Sequence, residues 1–289
     1  MVRTSPEAGP DRYREDRSHM RIVLVGPGRA GQSVAIAANG AGHEVVAVAA
    51  RDTEQAYGVA RQLDAGVLAI GEPIPPVDLI IIAVRDHAIE EVAGQVAPVA
   101  RNAAASAVHL SGATPVEALA SFAAQGIATG SFHPLQTMPT PDQGARSLAG
   151  SWMAVTADEP LRSELHSFAA SLGGIPFDLR DADRTTYHAA AAAAANFPTA
   201  AFAIAQRLLE STGVPFDAVR PLVDRIVANA FELGPRTSLT GPIARGDVDT
   251  IEAQVDAVRR AAPDLAAAFE AMVSATVDIA SSRNGEGEV

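Results

Sequence analysis

The segment RIVLVGPGRAGQSVAIAANGAGHEVVAVAARD, residues 21–52, limits what this chain can fold into more than any other stretch. A β-branched run leads into glycines at 26, 28 and 31, then an alanine-rich helical stretch, then a second β-branched run. Strand, tight turn, helix and strand in that order make one crossover unit of a parallel sheet. In this G-x-G-x-x-G spacing the first glycine permits the turn, the second lets a pyrophosphate approach bare backbone, and the third lets helix pack on strand. The helix N-terminus adds unpaired N–H groups for the anion. Gly26, Pro27, Gly28, Arg29, Ala30 and Gly31 are therefore the expected dinucleotide-binding turn, with a purely structural glycine turn as the alternative.

The end of the second strand indicates which dinucleotide. An acidic residue about 20 positions beyond the glycines would hold the ribose hydroxyl of NAD. That place here reads Ala49-Ala50-Arg51, which leaves room and positive charge for the extra phosphate of NADP. Asp52 keeps the NAD role open if the strand runs one residue longer; otherwise Asp52 or Thr53 caps the helix TEQAYGVARQL.

VDLIIIAV, residues 77–84, is an unbroken apolar run, as expected of a strand buried on both faces. RDHAIEEVAGQV then opens a helix with Asp86 as its cap, and SAVHLSG and GIATGSFHPLQTM give two more strand-then-loop segments. Ligands of such sheets lie beyond the carboxyl ends of the strands. Val84, Arg85, Ser111, Gly112 and the loop from Phe132 to Gln136 are thereby placed around the cofactor. SWMAVTAD and GIPFDLRD extend the sheet, with a helix from Pro160 to Leu172 between them. The predicted fold is an α/β Rossmann domain, with a mostly parallel doubly wound sheet, followed by an all-α domain. The expected limits are a disordered tail at 1–19, the nucleotide domain at 20–180, the helical domain at 181–281 and a second tail at 282–289.

A chain of 289 residues that is 48% hydrophobic can fill two cores. Its net charge of −12 excludes a nucleic-acid partner, since no block of Lys or Arg offsets it. With no cysteine there is no disulfide framework, thiolate zinc site or cysteine nucleophile. No histidine pair shows metal-ligand spacing, so no metal is expected. The first twenty residues lack an apolar core and do not read as a secretory signal. The alanine-rich region is broken by Asn196, Pro198, Thr199 and Gln206, which favours a buried soluble helix over a membrane span and cytoplasm as the address.

Beyond Asp181 the strand signals stop. DADRTTYHAAAAAAANFPTAAFAIAQRLLESTG predicts one long helix, begun by an Asp cap, closed by Gly213 and kinked at Pro198. VPFDAVRPLVDRIVANAFELG predicts a second, LTGPIARGD a turn-rich loop, and the remainder the last helices, broken near Pro263. Tyr187 and His188 fall near the start of the long helix, and positions 188, 192 and 196 share one side of it. His188 and Asn196 can thus line one groove, with Tyr187 either in contact with substrate or packing.

GPGRAG, SFHPLQT, YHAAAAAAANF and LTGPIARGD together resemble the Rossmann-like proteins that carry a C-terminal helical domain of unknown function, often labelled NADP oxidoreductases. The resemblance runs from Met20 to about Ala280. That family is similar to ketopantoate reductases, pyrroline-5-carboxylate reductases and deazaflavin-dependent NADP oxidoreductases. In ketopantoate reductase a lysine at the start of the long helix is the general acid, and an Asn-Pro element follows. His188 stands in the lysine's place, Asn196-Phe197-Pro198 in the later one, and Ser238 at a substrate-binding serine. The acidic residue expected further on falls at Ile251, with Asp247 and Glu252 beside it.

The reaction so implied is hydride transfer from NADPH to a small 2-oxo acid. His188 would be the acid and His133 its competitor, since a histidine titrates near neutral pH. Asn196 would orient substrate or bond backbone freed by Pro198. Ser238, Thr240 and Arg245 would hold a carboxylate. Reduction of a cyclic imine, or a non-catalytic NADP-binding sensor that acts on a protein partner, are the alternatives. The apolar faces of the helical half, which one sheet domain cannot cover, predict a homodimer through that half.

Overall fold

The computed structural model describes residues 19–281; apart from His19, the two expected tails lie outside those residues. The strands are β1 (Arg21–Val25), β2 (Glu44–Ala50), β3 (Gly66–Ala69), β4 (Val77–Ile82), β5 (Ala104–His109), β6 (Ala128–Pro134), β7 (Trp152–Ala157) and β8 (Ile175–Asp178). They form one eight-stranded sheet in the order β3-β2-β1-β4-β5-β6-β7-β8. The first six are mutually parallel. β7 pairs antiparallel with β6 and parallel with β8, so the last two strands run the other way. The edge strand β3 was not foreseen: GVLA is short and carries no strong β pattern.

Continuous apolar runs form these strands because the sheet buries both faces. Ile22, Leu24, Leu79 and Ile81 enter one core, while Val23, Val25, Ile80 and Ile82 enter the other. The first core is covered by α1 (Arg29–Gly40), α2 (Thr53–Leu63) and, after α3 to α5, by α6 (Leu161–Ser171). The second lies under α3 (Ile89–Ala100) and α4 (Ala120–Ala123); α5 (Pro141–Ser147) is packed against α1. Each fully buried Ile or Leu contributes about 1.5–3 kcal/mol, so this sheet sets the stability of its unit.

By its contacts the chain divides into two compact units, one ending at Ala192 and the other beginning at Ala193. The division falls inside α7 (Arg184–Thr212) rather than at the end of β8. The first turns of this helix are bonded to the sheet through Arg184 and Tyr187.

The helical unit continues with α8 (Arg220–Leu233), α9 (Pro235–Ser238), α10 (Pro242–Arg245), α11 (Val248–Ala261) and α12 (Ala266–Ser281). The expected turn-rich loop, residues 239–247, therefore holds one short helix, α10, and α9 lies just before it. α7 begins after a 3₁₀ turn at Asp181–Asp183 and closes at Gly213, whose φ of +73° suits glycine. It is assigned as helix without a break through Pro198; the Thr199 hydroxyl donates to the Ala195 carbonyl at 2.9 Å beside the proline. The helix is exposed over most of its length rather than buried. Among the described residues no helix is long and apolar enough to cross a membrane.

Candidate active site

The glycine turn separates into two kinds of position. Gly26 has φ +92°, and a Cβ there would lie 2.6 Å from Val84 Cγ1 and 2.9 Å from the Ala83 oxygen. A Cβ on Gly31 would meet Ala83 Cβ and the Gly26 oxygen, each at 2.7 Å. Both glycines are thus required by the fold itself. Gly28 differs: its φ of −72° is ordinary, and a Cβ would find only the Ala83 oxygen at 3.7 Å. No packing demand of the chain explains a glycine there, whereas close approach of a phosphate does.

Gly28 is also the N-cap of α1, with no side chain satisfying the first N–H groups of the helix. These features fit the pyrophosphate of a dinucleotide. Val84, which leaves its strand beside Gly26, and the exposed Arg29 and Arg85 border the same end of the sheet.

β2 ends at Ala50, and the Asp52 carboxylate accepts the Glu54 N–H at 3.0 Å. Asp52 is therefore the cap of α2 and is not the strand-terminal acid of an NAD site. Arg51 is 76% exposed and lies a loose 3.7 Å from Glu91, which leaves its guanidinium available to a second phosphate.

The second cluster is built by β5, β6 and α7 within the sheet unit. A Cβ on Gly112 would lie 2.6 Å from His188 Nδ1 and 2.8 Å from His133 Nε2, so two imidazole nitrogens converge on this glycine. The His133 and His188 rings stand edge to face at 5.9 Å. His133 Nδ1 is 2.8 Å from the Tyr187 hydroxyl. Burial first, then His188 and Arg184, push the His133 imidazole down to about 4. It is a neutral ring at pH 7, not the charged acid expected as a rival to His188. Burial pushes the Tyr187 phenol up to about 12, against a weaker pull from Arg184, so it keeps its proton.

Beneath this cluster lies a residue that the sequence did not mark. Arg184 is 1% exposed, and its guanidinium donates to the Thr114 carbonyl at 2.7 Å, the Thr156 hydroxyl at 3.0 Å, the Ser131 hydroxyl at 2.6 Å and the Ser111 carbonyl. The nearest carboxylate, Asp181, is 3.8 Å away. In the sequence Arg184 sits in DADRTTY, a charged stretch that reads as a solvated helix start. Two further residues went unnoticed: Trp152 and Phe177 continue a run of ring contacts outward from Tyr187, at 5.9 and 6.0 Å.

Ser111 turns its hydroxyl inward to accept the N–H groups of Ala113 and Thr114, holding the loop at Gly112. In the helical unit, Ser238 is buried and its hydroxyl donates to the Pro235 carbonyl at 3.0 Å, so it serves the local fold instead of facing a ligand. Thr240 and Asn196 are exposed. Arg245 lines a groove with Ile243, Val248, Ile251 and Val277. Asp247 caps α11 through the Thr250 N–H and hydroxyl, and its carboxyl is held below the usual range by these bonds. Among the described residues no group of three potential ligands could hold a metal ion.

Two protein-family models match the sequence, a Rossmann-like domain over residues 5–134 and a domain of unknown function, DUF2520, over residues 151–276. Between them the two models cover most of the chain. A search of the curated proteins gives no match.

Among solved structures, a candidate NADP oxidoreductase from Bacteroides fragilis is similar at 25% identity and a TM-score of 0.80, over 91% of this chain and 100% of that one. A reductive aminase from Aspergillus terreus, solved with NADPH, matches at 18% identity and 0.62, over 90% and 94%. A 1-pyrroline-5-carboxylate reductase from Streptococcus pyogenes matches at 20% and 0.55, over 92% and 99%. The last two likenesses establish a shared two-part fold.

Proposed function

We infer that this chain is an NADPH-dependent reductase of small C=N or C=O compounds. The observation that carries the reading is the convergence of His133 and His188 on Gly112, with Tyr187 bonded to His133, at the same sheet end as a glycine turn whose middle position is left open. Bound NADPH would supply the hydride, and the substrate carbon would gain it while nitrogen or oxygen takes a proton.

The chain's own residues supply the rest. Gly28 and the first N–H groups of α1 hold the pyrophosphate, and Arg51 faces the additional phosphate. His188, exposed beside Gly112, delivers the proton. His133, neutral, fixes the Tyr187 ring, whose hydroxyl is a second donor to the developing charge. The imine-reducing character of several neighbours favours a C=N substrate over the 2-oxo acid, and the inward-turned hydroxyl of Ser238 removes one expected carboxylate contact. Arg245 remains the candidate anchor for a carboxylate.

The active form is proposed to be a homodimer. The helical unit exposes Leu222, Ile226, Val227 and Phe231 along α8, with Phe231 90% exposed, and apolar faces of this kind mark an interface.

The test follows NADPH oxidation with a panel of cyclic imines and 2-oxo acids, alongside direct titration of NADPH. Turnover of an imine, with His188→Asn lowering kcat by about 10²-fold and sparing NADPH affinity, is expected. Absence of NADPH binding by folded protein would overturn the reading.

A further inference from the structure

The geometry points to Arg184 as a positioning residue: its buried guanidinium ties the loop at residues 111–114 to β6, β7 and the first turn of α7, and so fixes the gap in which His133 and His188 face each other across Gly112. Burying a cation costs several kcal/mol unless it is well paired, and here its close partners are neutral oxygens. A methionine or leucine would fill such a space at less cost, so local stability does not account for an arginine. What an aliphatic side chain lacks is a rigid fork that bonds several oxygens in fixed directions.

The bonds reach each element that holds the site. Ser111 and Thr114 flank Gly112 and are gripped through their carbonyls. Ser131 lies two residues before His133 on β6, and Thr156 lies opposite Ser131 on β7. Tyr187 and His188 follow Arg184 by one turn of α7. Asp181 adds to the same staple by accepting the Val116 N–H at 3.0 Å.

The charge acts as well as the fork. The groups that face His133 are Tyr187, His188 and Arg184 from α7 and His109 from β5, while Asp181 and Asp86 act on Arg184. Burial is the main cause of the low proton affinity of His133 and His109; Arg184 adds to it, after His188 in the case of His133, and so helps keep His133 an uncharged partner for Tyr187.

The inference rests on the reductase reading only for its kinetic consequence; the first measurement below does not need activity. Histidine-ring NMR would follow the His133 titration and its contact with the Tyr187 ring in wild type, Arg184→Met, Arg184→Lys and Thr156→Val, with His133→Asn assigning the signal. In Arg184→Met the His133 midpoint is expected to rise by the smaller part of its depression, since burial and His188 still hold it down, and the ring contact to weaken. Arg184→Lys should restore the low midpoint without restoring the contact, because lysine supplies charge without the fork. Thr156→Val keeps the charge and removes one bond of the fork, so it should weaken the ring contact while the midpoint stays low, and it decides the matter if Arg184→Met does not fold.

With an identified substrate, kcat in Arg184→Met should fall about 10²-fold, as for a misplacement near 1 Å, while NADPH affinity changes far less. A folded Arg184→Met protein with unchanged His133 midpoint and ring contact, or a folded Thr156→Val protein with unchanged ring contact, would overturn the inference, whatever the outcome of NADPH titration on wild type.

Discussion

The glycine turn offers a paired experiment in which stability and binding part company. Alanine at Gly28 adds a methyl group to backbone of ordinary conformation, with its nearest neighbour at 3.7 Å, so the folded protein accommodates it. That methyl occupies the space assigned to a pyrophosphate. Two charge-assisted hydrogen bonds there are worth about 1.5–3 kcal/mol each, and weakening them should reduce NADPH affinity on the order of 10–100-fold.

Alanine at Gly31 presses instead on Ala83 Cβ and the Gly26 oxygen at 2.7 Å, and on Leu24 Cδ1 at 3.0 Å. These neighbours belong to a packed sheet, so overpacking should cost about 1–3 kcal/mol and lower the melting temperature by several degrees. Calorimetric titration with NADPH and differential scanning fluorimetry on both variants separate the effects. Gly28→Ala protein that melts like wild type and binds NADPH equally well would refute the reasoning, because the phosphates would then lie elsewhere.

Three further outcomes are expected. Arg51→Ala should weaken NADPH by about tenfold and leave NADH unchanged, read as a ratio of Kd values; an unchanged ratio assigns the extra phosphate to another residue. His109 and His133, each pushed from 6.5 to about 4, bind protons less readily folded than unfolded, so stability should fall as the pH drops through that window. Each contributes roughly 3 kcal/mol over two and a half pH units; a thermal midpoint flat between pH 7 and pH 4 contradicts it. Equilibrium sedimentation should give a dimer, weakened by Phe231→Asp; a wild-type monomer at micromolar concentration removes the proposed interface.

The nucleotide half was legible because each of its signals is local. Glycine spacing, β-branched runs such as VDLIII and the small residues of α1 act within a few positions of one another. The reversal of β7 and β8 was not, since strand direction depends on how far the chain travels between strands, which composition does not encode. His133, His188 and Tyr187 were readable as chemistry-bearing types near a strand end and a helix start. The meeting of the two histidines at Gly112 was not, because a glycine that gives way to two imidazoles looks in sequence like any loop glycine. Arg184 escaped for a related reason: an arginine among aspartates reads as surface, and only the fold shows it enclosed by carbonyls and hydroxyls.

The opposed direction of the last two strands sets a mechanical relation between α7 and β6. Since β8 runs downward, the chain leaves the sheet at its lower end and climbs the face as a helix, level with Ser131 at Arg184 and with His133 at Tyr187. Three helical residues rise about 4.5 Å while two strand residues rise about 6.6 Å, and the two elements mesh like unlike gears. Deleting a single residue between Arg184 and Tyr187 would swing the phenol through about 100° and carry it off its histidine, although every atom needed for chemistry would still be present.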